Sequence, residues 1–201
     1  MGFFLSNEDE EAESSEVLTD ADRVELVKAV LASDDEKSKR AICSLVQFRE
    51  IAVLYEIMKS PSAKAAALAE GGIWEIWHSA HGEEIQKQIE RGMRYLASGK
   101  ASDALEVFQG LMHTYTDWAE PMYKAATVLY FCGKLDGCYR MNKKVVSIDP
   151  LHFGAWHGMA MSALQLGRAE EAKDAIEHAL AIQPHSPCRE DLLSFLETIA
   201  D

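Results

Sequence analysis

Apolar residues return along most of this chain at the i, i+3, i+4 spacing of a helix face. Val24, Val27, Val30 and Leu31 form a first stripe, opened by Thr19 and Asp22 at capping-box spacing. A second stripe begins near Asp35. Ile42, Leu45 and Val46 run into Phe48, Ile51, Ala52 and Tyr55, with Leu54 and Met58 beside them, and Ser60-Pro61 is the expected stop. A short Ala-rich helix is predicted from Ser62 to Gly71-Gly72, a pair that reads as a C-terminal signal. Trp74 and Trp77 then share one helical face. From about Glu83 to Pro184 the pattern becomes periodic. Gly99, Gly133 and Gly167 stand 34 residues apart, each between two segments of helical period. This predicts three helix–turn–helix units at 85–118, 119–152 and 153–186, in which each unit buries its apolar face on its neighbours. Pro187 starts a last helix carrying Leu192, Leu193, Phe195, Leu196 and Ile199.

Composition narrows the function. The 201 residues are 48% hydrophobic, enough for a sizeable core, and the net charge is −13. That charge argues against nucleic acid and anionic membrane surfaces, both of which need a basic footprint. No apolar run approaches the ~20 residues that span a bilayer. Cys43, Cys132, Cys138 and Cys188 form no Cys-x-x-Cys pair and fit neither a zinc site nor a disulfide framework, so reduced thiols are expected. Residues 1–20 carry Glu8, Asp9, Glu10, Glu11, Glu13, Glu16 and Asp20 with no Lys or Arg, and read as a disordered acidic tail. Gly2 followed by Ser6 satisfies the loose myristoylation pattern, but the acidic residues that follow deny it a second anchoring signal. Ser6, Ser14 and Ser15 lie in acidic surroundings that suit an acid-directed kinase. The expected location is cytoplasmic, or plastid or mitochondrion if the chain is a processed form.

The third unit carries the most complete motif: Trp156, Met159, Ala160 and Ala163, then Gly167, Ala172, Ile176, Ala179 and Pro184. Small residues at Ala160, Gly167 and Ala172 let two antiparallel helices touch, while Trp156 and Ile176 fill the space beside them. In this pattern and its period the chain resembles tetratricopeptide-repeat (TPR) proteins. Ile73-Trp74-x-x-Trp77, Arg91-Gly92, Trp118-Ala119-Glu120 and Asp149-Pro150-x-His152-Phe153 extend the resemblance to small bacterial-type TPR proteins of unassigned function, over roughly 73–187. The resemblance implies an all-α, right-handed α-solenoid of three TPR helix pairs, with a helical N-terminal extension (21–82) and a capping helix (187–201). Asn142 departs from the pattern, at a site that is normally bulky and apolar. Either Met141 rotates into its place or Asn142 hydrogen-bonds a neighbouring backbone.

In TPR proteins the first helix of each repeat lines a concave groove that binds peptides. By resemblance the groove residues here include Ile89, Met93, Tyr123, Lys124, Thr127, Tyr130, His157 and Met161, with Gly154 and Gly158 leaving room for a bulky ligand side chain. Chaperone-binding members grip a terminal carboxylate with Lys, Asn and Arg. Ile89, Met93, Lys124, Gly154 and Gly158 stand at those positions, so binding of Hsp70 or Hsp90 tails is not expected. The N-terminal helices are expected to close the open end of the first repeat, with Trp74 and Trp77 packing there; folding of those helices into the groove is the competing possibility. His78 and His81 could share a metal but lack a third ligand, and read as a helix end. Asp149, His152 and His157 come with no nucleophile, phosphate loop or metal triad. The expectation is therefore a non-enzymatic scaffold without metal or cofactor, binding a protein or peptide in its groove. The alternative is a structural or assembly-factor subunit held through the Trp74/Trp77 end and the acidic tail.

Overall fold

The computed structural model describes residues 17–32 and 34–200. The expectations for the acidic segment up to residue 16, for Gly2 and for Ser6, Ser14 and Ser15 fall on residues outside this range. Eleven helices and no strand make up the described residues. The first four are α1 (Asp20–Leu31), α2 (Asp35–Gln47), α3 (Ile51–Met58) and α4 (Ala63–His78). Three pairs follow: α5 (Glu83–Ala97) with α6 (Ala101–Thr114), α7 (Ala119–Phe131) with α8 (Leu135–Ile148), and α9 (Phe153–Gln165) with α10 (Ala169–Ile182). The last helix is α11 (Arg189–Ala200).

The three period-setting glycines close the first helix of each pair in the same way. Gly99, Gly133 and Gly167 have φ of 77°, 69° and 70°, the left-handed region that costs glycine least. Around Gly99, the Gly99 N–H donates to Leu96 O at 2.9 Å and the Lys100 N–H to Tyr95 O at 2.9 Å. These are the two bonds of a Schellman cap, and they recur at Gly133 and Gly167. One reversed residue thus turns the chain sharply enough for the second helix to pack back on the first.

The N-terminal third departs from the sequence reading in three ways. The predicted second helix is two helices. It breaks at Phe48–Glu50, where Arg49, the residue after the Phe48 cap, takes φ 54° and donates to Val46 O, while Glu50 donates to Leu45 O. Arg23 holds the far side of the turn, with Nε and Nη2 donating to Glu50 Oε1 at 2.9 and 2.7 Å. Secondly, Gly71-Gly72 does not end a helix. α4 runs through it, and Gly72 instead provides close approach: a Cβ there would lie 3.1 Å from Val46 and 3.3 Å from both Ile42 and Leu54. Finally, residues 18–20 belong to the fold and not to a tail. Leu18 packs against the first core cluster, and Thr19 and Asp22 form the expected capping box on α1.

The extension does not lie beyond the first repeat; it folds against the turn between the second and third. There Trp74 of α4 packs on Tyr123 and Gly154, two residues that the resemblance assigned to the groove, which is the competing arrangement. Phe153 and Ile182 join α1–α4 in one buried cluster with Leu45, Leu54 and Ile73. The Tyr55 hydroxyl donates to Leu151 O at 2.9 Å, and His185 Nε2 lies 2.8 Å from Ser60 O. Trp77 stacks on His152 with centroids 4.1 Å apart, and Trp118 Nε1 donates to Trp77 O at 3.2 Å. The tryptophans of α4 meet Tyr123 of α7, the His152 cap and Phe153 of α9, ring pairs that stabilise beyond their area burial. At the other end Leu192 of α11 is fully buried against Ala172 and Ile176. No helix of the described residues is long and apolar enough to cross a membrane.

Candidate functional site

Two features sit where α4 meets the solenoid: a buried polar knot and, beside it, an open hollow. The knot is built on Glu120, in the first turn of α7 and 1% exposed. His78 Nε2 and Lys124 Nζ approach its Oε1 at 2.9 and 2.8 Å, and His152 Nε2 approaches Oε2 at 3.3 Å. His152 is also the N-cap of α9, its Nδ1 accepting from the Ala155 N–H at 3.1 Å. A neutral His152 is therefore protonated on Nε2 and donates to Glu120. Burial alone would raise the Glu120 pKa, but His152, His78 and Lys124 outweigh it and hold the carboxyl well below the usual range. Trp74 lids the knot, with Lys124 Nζ 4.9 Å from its ring centroid and Tyr123 5.5 Å away ring to ring. His152 and His78 are thus structural partners of one carboxylate. His81 packs on Tyr115 and Trp118 instead.

The hollow, about 220 Å³, lies between α7, α8 and α9. Of the eight predicted groove residues it brings together five: Tyr123, Thr127, Tyr130, His157 and Met161. Cys138, Asn142, Gly154 and Gly158 complete its walls. The other three lie elsewhere. Ile89 is 3% exposed in the core with Phe108 and Val128, and Met93 packs half-buried on the same cluster. Lys124 is turned inward to Glu120 and offers no free charge. The glycines do not leave empty space either. A Cβ on Gly154 would meet Trp74 at 2.9 Å and Tyr123 at 3.0 Å, and one on Gly158 would meet Asn142 Nδ2 at 2.5 Å. Their room is taken by this chain's own side chains. A second hollow of about 320 Å³ between α9 and α11 shares His157 and Met161 and adds Leu192 and Phe195.

Asn142 takes neither of its two expected arrangements. It is itself buried, 1% exposed, and its Nδ2 donates to Cys138 Sγ at 3.3 Å one helical turn back. Sequence reasoning marked Asn142 as anomalous without placing it in the groove, because it lies on the second helix of its pair. The signal was present in the polar residue at an apolar site, facing a glycine. Burial lowers the His157 pKa and raises that of the Cys138 thiol. Burial, with Glu120 nearby, pushes Tyr123 up to about 12. Neutral forms therefore line the hollow near pH 7. Among the described residues no group of three His, Cys, Asp or Glu is arranged to hold a metal.

No protein-family model matches the chain. DnaJ homolog subfamily C member 3 of Gallus gallus is 31% identical over 101 residues, half of this chain and 20% of that protein. The match thus spans about a fifth of the relative's length. Among solved structures, the first TPR of Spaghetti (RPAP3), bound to HSP90 peptide SRMEEVD, superimposes with a TM-score of 0.54. It is 18% identical and covers 57% of this chain and 94% of its own. MamA covers 74% of this chain and 89% of its own at 13% identity, with a TM-score of 0.47. The three helix pairs with their reversed glycines, and the superposition on the first of these structures, make this chain an all-α solenoid of tetratricopeptide-repeat fold.

Proposed function

We propose that this chain is a non-enzymatic interaction scaffold that takes a segment of a partner protein into the hollow between α7, α8 and α9. One observation carries the reading. Residues from two repeats converge on a single open concavity with aromatic, thioether and neutral polar walls, which joins a second along α11. Its chemistry suits an apolar or aromatic-bearing segment. A terminal carboxylate finds no cation there, since Ile89 and Met93 are apolar and Lys124 is neutralised by Glu120. The net charge of −13 further opposes acidic tails. Trp77 is 8% exposed and Trp74 packs half-buried on Tyr123 and Phe153, which favours the groove over assembly through that end.

Affinity capture with wild-type bait and with Tyr130→Ala/Met161→Ala tests the reading. Partners lost with the double variant, whose helicity and Tm are retained, support it. An unchanged set of partners overturns it. Labelled SRMEEVD peptide, titrated into the chain, should show no saturable binding; saturation at micromolar concentration would refute the missing-clamp argument.

A further inference from the structure

The hollow between α7, α8 and α9 contains two buried polar atoms that the fold leaves without partners. Asn142 Nδ2 reaches Cys138 Sγ, but Oδ1 meets no donor. His157 Nε2 is likewise buried and unpaired. Both residues line the same space. Buried polar groups are almost always matched, because an unmatched one retains the full cost of leaving water. The bond to Cys138 Sγ uses only the amide's donor side and leaves its acceptor unmatched. The chain also makes room for this side chain, since a Cβ at position 158 would lie 2.5 Å from Asn142 Nδ2. Sites that violate a folding rule while their surroundings are fitted to them are where binding groups are found.

The shape and lining indicate what would match these atoms. At about 220 Å³ the hollow exceeds the ~150 Å³ of an apolar cavity known to hold benzene. It falls short of the ~300 Å³ at which sites for whole small molecules begin. One large side chain fits this size. Tyr123, Tyr130 and the His157 ring offer aromatic faces and Met161 a thioether, all suited to an aromatic guest. Asn142 Oδ1 can only accept. No free cation lies in the walls, so the guest's polar group is neutral.

We propose that this hollow is a specificity pocket for one aromatic side chain of a bound peptide, carrying a single neutral donor at its rim, which it gives to Asn142 Oδ1. Indole N–H and phenol O–H are the two sources of that chemistry. The assignment rests on the groove reading above and goes further, naming the anchor and the atom that selects it.

The full chain with ¹³C-methyl methionine provides the test, with the Met161 methyl signal assigned by Met161→Leu. N-acetyltryptophanamide, N-acetyltyrosinamide and N-acetylphenylalaninamide are titrated separately. The Trp or the Tyr probe should shift Met161 and bind about tenfold or more tightly than the Phe probe, which lacks a donor. Whichever of the two binds more tightly identifies the ring. Asn142→Leu should keep or raise the Tm and abolish the preference over Phe, because a purely structural amide would lose stability instead. Asn142→Ala serves as the second variant, with the same loss of preference expected. The proposal is overturned if the Phe probe binds as well as the other two, if no probe moves Met161, or if both variants keep the preference. A failure of these probes while Tyr130→Ala/Met161→Ala still loses captured partners removes the donor pocket and leaves the groove reading intact.

Discussion

Replacing each of three mid-helix glycines by alanine should give opposite results from one chemical change. Alanine in a helix interior is ordinarily favoured over glycine by about 1 kcal/mol. At Gly71 and Gly110 an added Cβ meets nothing within 4 Å, so Gly71→Ala and Gly110→Ala should each stabilise by roughly that amount. At Gly92 the same Cβ would lie 2.5 Å from Phe108 Cζ and 2.6 Å from Cε1. Carbon atoms at ease stay ~3.5–4.0 Å apart, so the ring or the helix must move by about 1 Å. Phe108 has no exposure and is packed among Ile89, Ala104 and Leu111, so the ring has nowhere to go. Overpacking of this kind costs about 1–3 kcal/mol. Gly92→Ala should therefore be about 1–3 kcal/mol less stable than Gly71→Ala, the propensity gain cancelling between the two. Urea unfolding followed by circular dichroism at 222 nm, read from the midpoint at constant m, measures the difference. In a Phe108→Leu background, Gly92→Ala should become neutral or stabilising. A Gly92→Ala protein as stable as Gly71→Ala would refute the close packing of α5 on α6.

Four further tests address separate parts of the fold. Arg49→Gly should raise stability by up to about 1 kcal/mol, because it relieves a left-handed non-glycine residue, less the 3.3 Å bond from Arg49 to Ile76 O; thermal unfolding reads it, and a clear loss would mean that the bond dominates. Glu120→Gln should cost up to about 3–5 kcal/mol by breaking a buried ionic knot. Because the folded Glu120 carboxyl is held below its ordinary 4.5, its contribution is complete above pH 4.5 and is lost as the pH falls further; the variant should lack that acid limb in a urea series across pH. Burial lowers the His157 pKa below 6.5, so the unfolded chain binds the proton first and wild-type stability should rise with pH through that value, whereas in His157→Phe it should not. Tyr55→Phe should cost about 1 kcal/mol and speed amide exchange in α3, and unchanged exchange would argue against the Tyr55–Leu151 bond.

The repeat region was legible because its signals are local. Glycine in a reversed conformation every 34 residues, with alanines opposite one another, announces paired helices without knowledge of distant contacts. The break at Arg49 gave no such signal: the apolar stripe stays in phase across it, and the reversed residue is not a glycine. Gly71-Gly72 misled for the converse reason, since glycine that ends a helix and glycine that admits a neighbour read alike until the α2–α4 crossing is known. Of the groove residues implied by the resemblance, Tyr123, Thr127, Tyr130, His157 and Met161 line one hollow. Lys124 and Ile89 do not, because their burial depends on Glu120 and on Phe108, partners chosen by tertiary packing.

The bonds from Tyr55 to Leu151 and from His185 to Ser60 join residues 96 and 125 positions apart. A repeat array ordinarily folds by adding neighbour to neighbour and can fray from either end. Here the α1–α4 unit docks only once the turn between the last two repeats exists. The closing step must gather nearly the whole chain, which raises contact order and slows folding relative to an open array of equal length. The same closure ties α1–α4 to the second and third repeats. Loss of the third repeat should then release the N-terminal helices as well, so the molecule tolerates trimming there less readily than its modular sequence suggests.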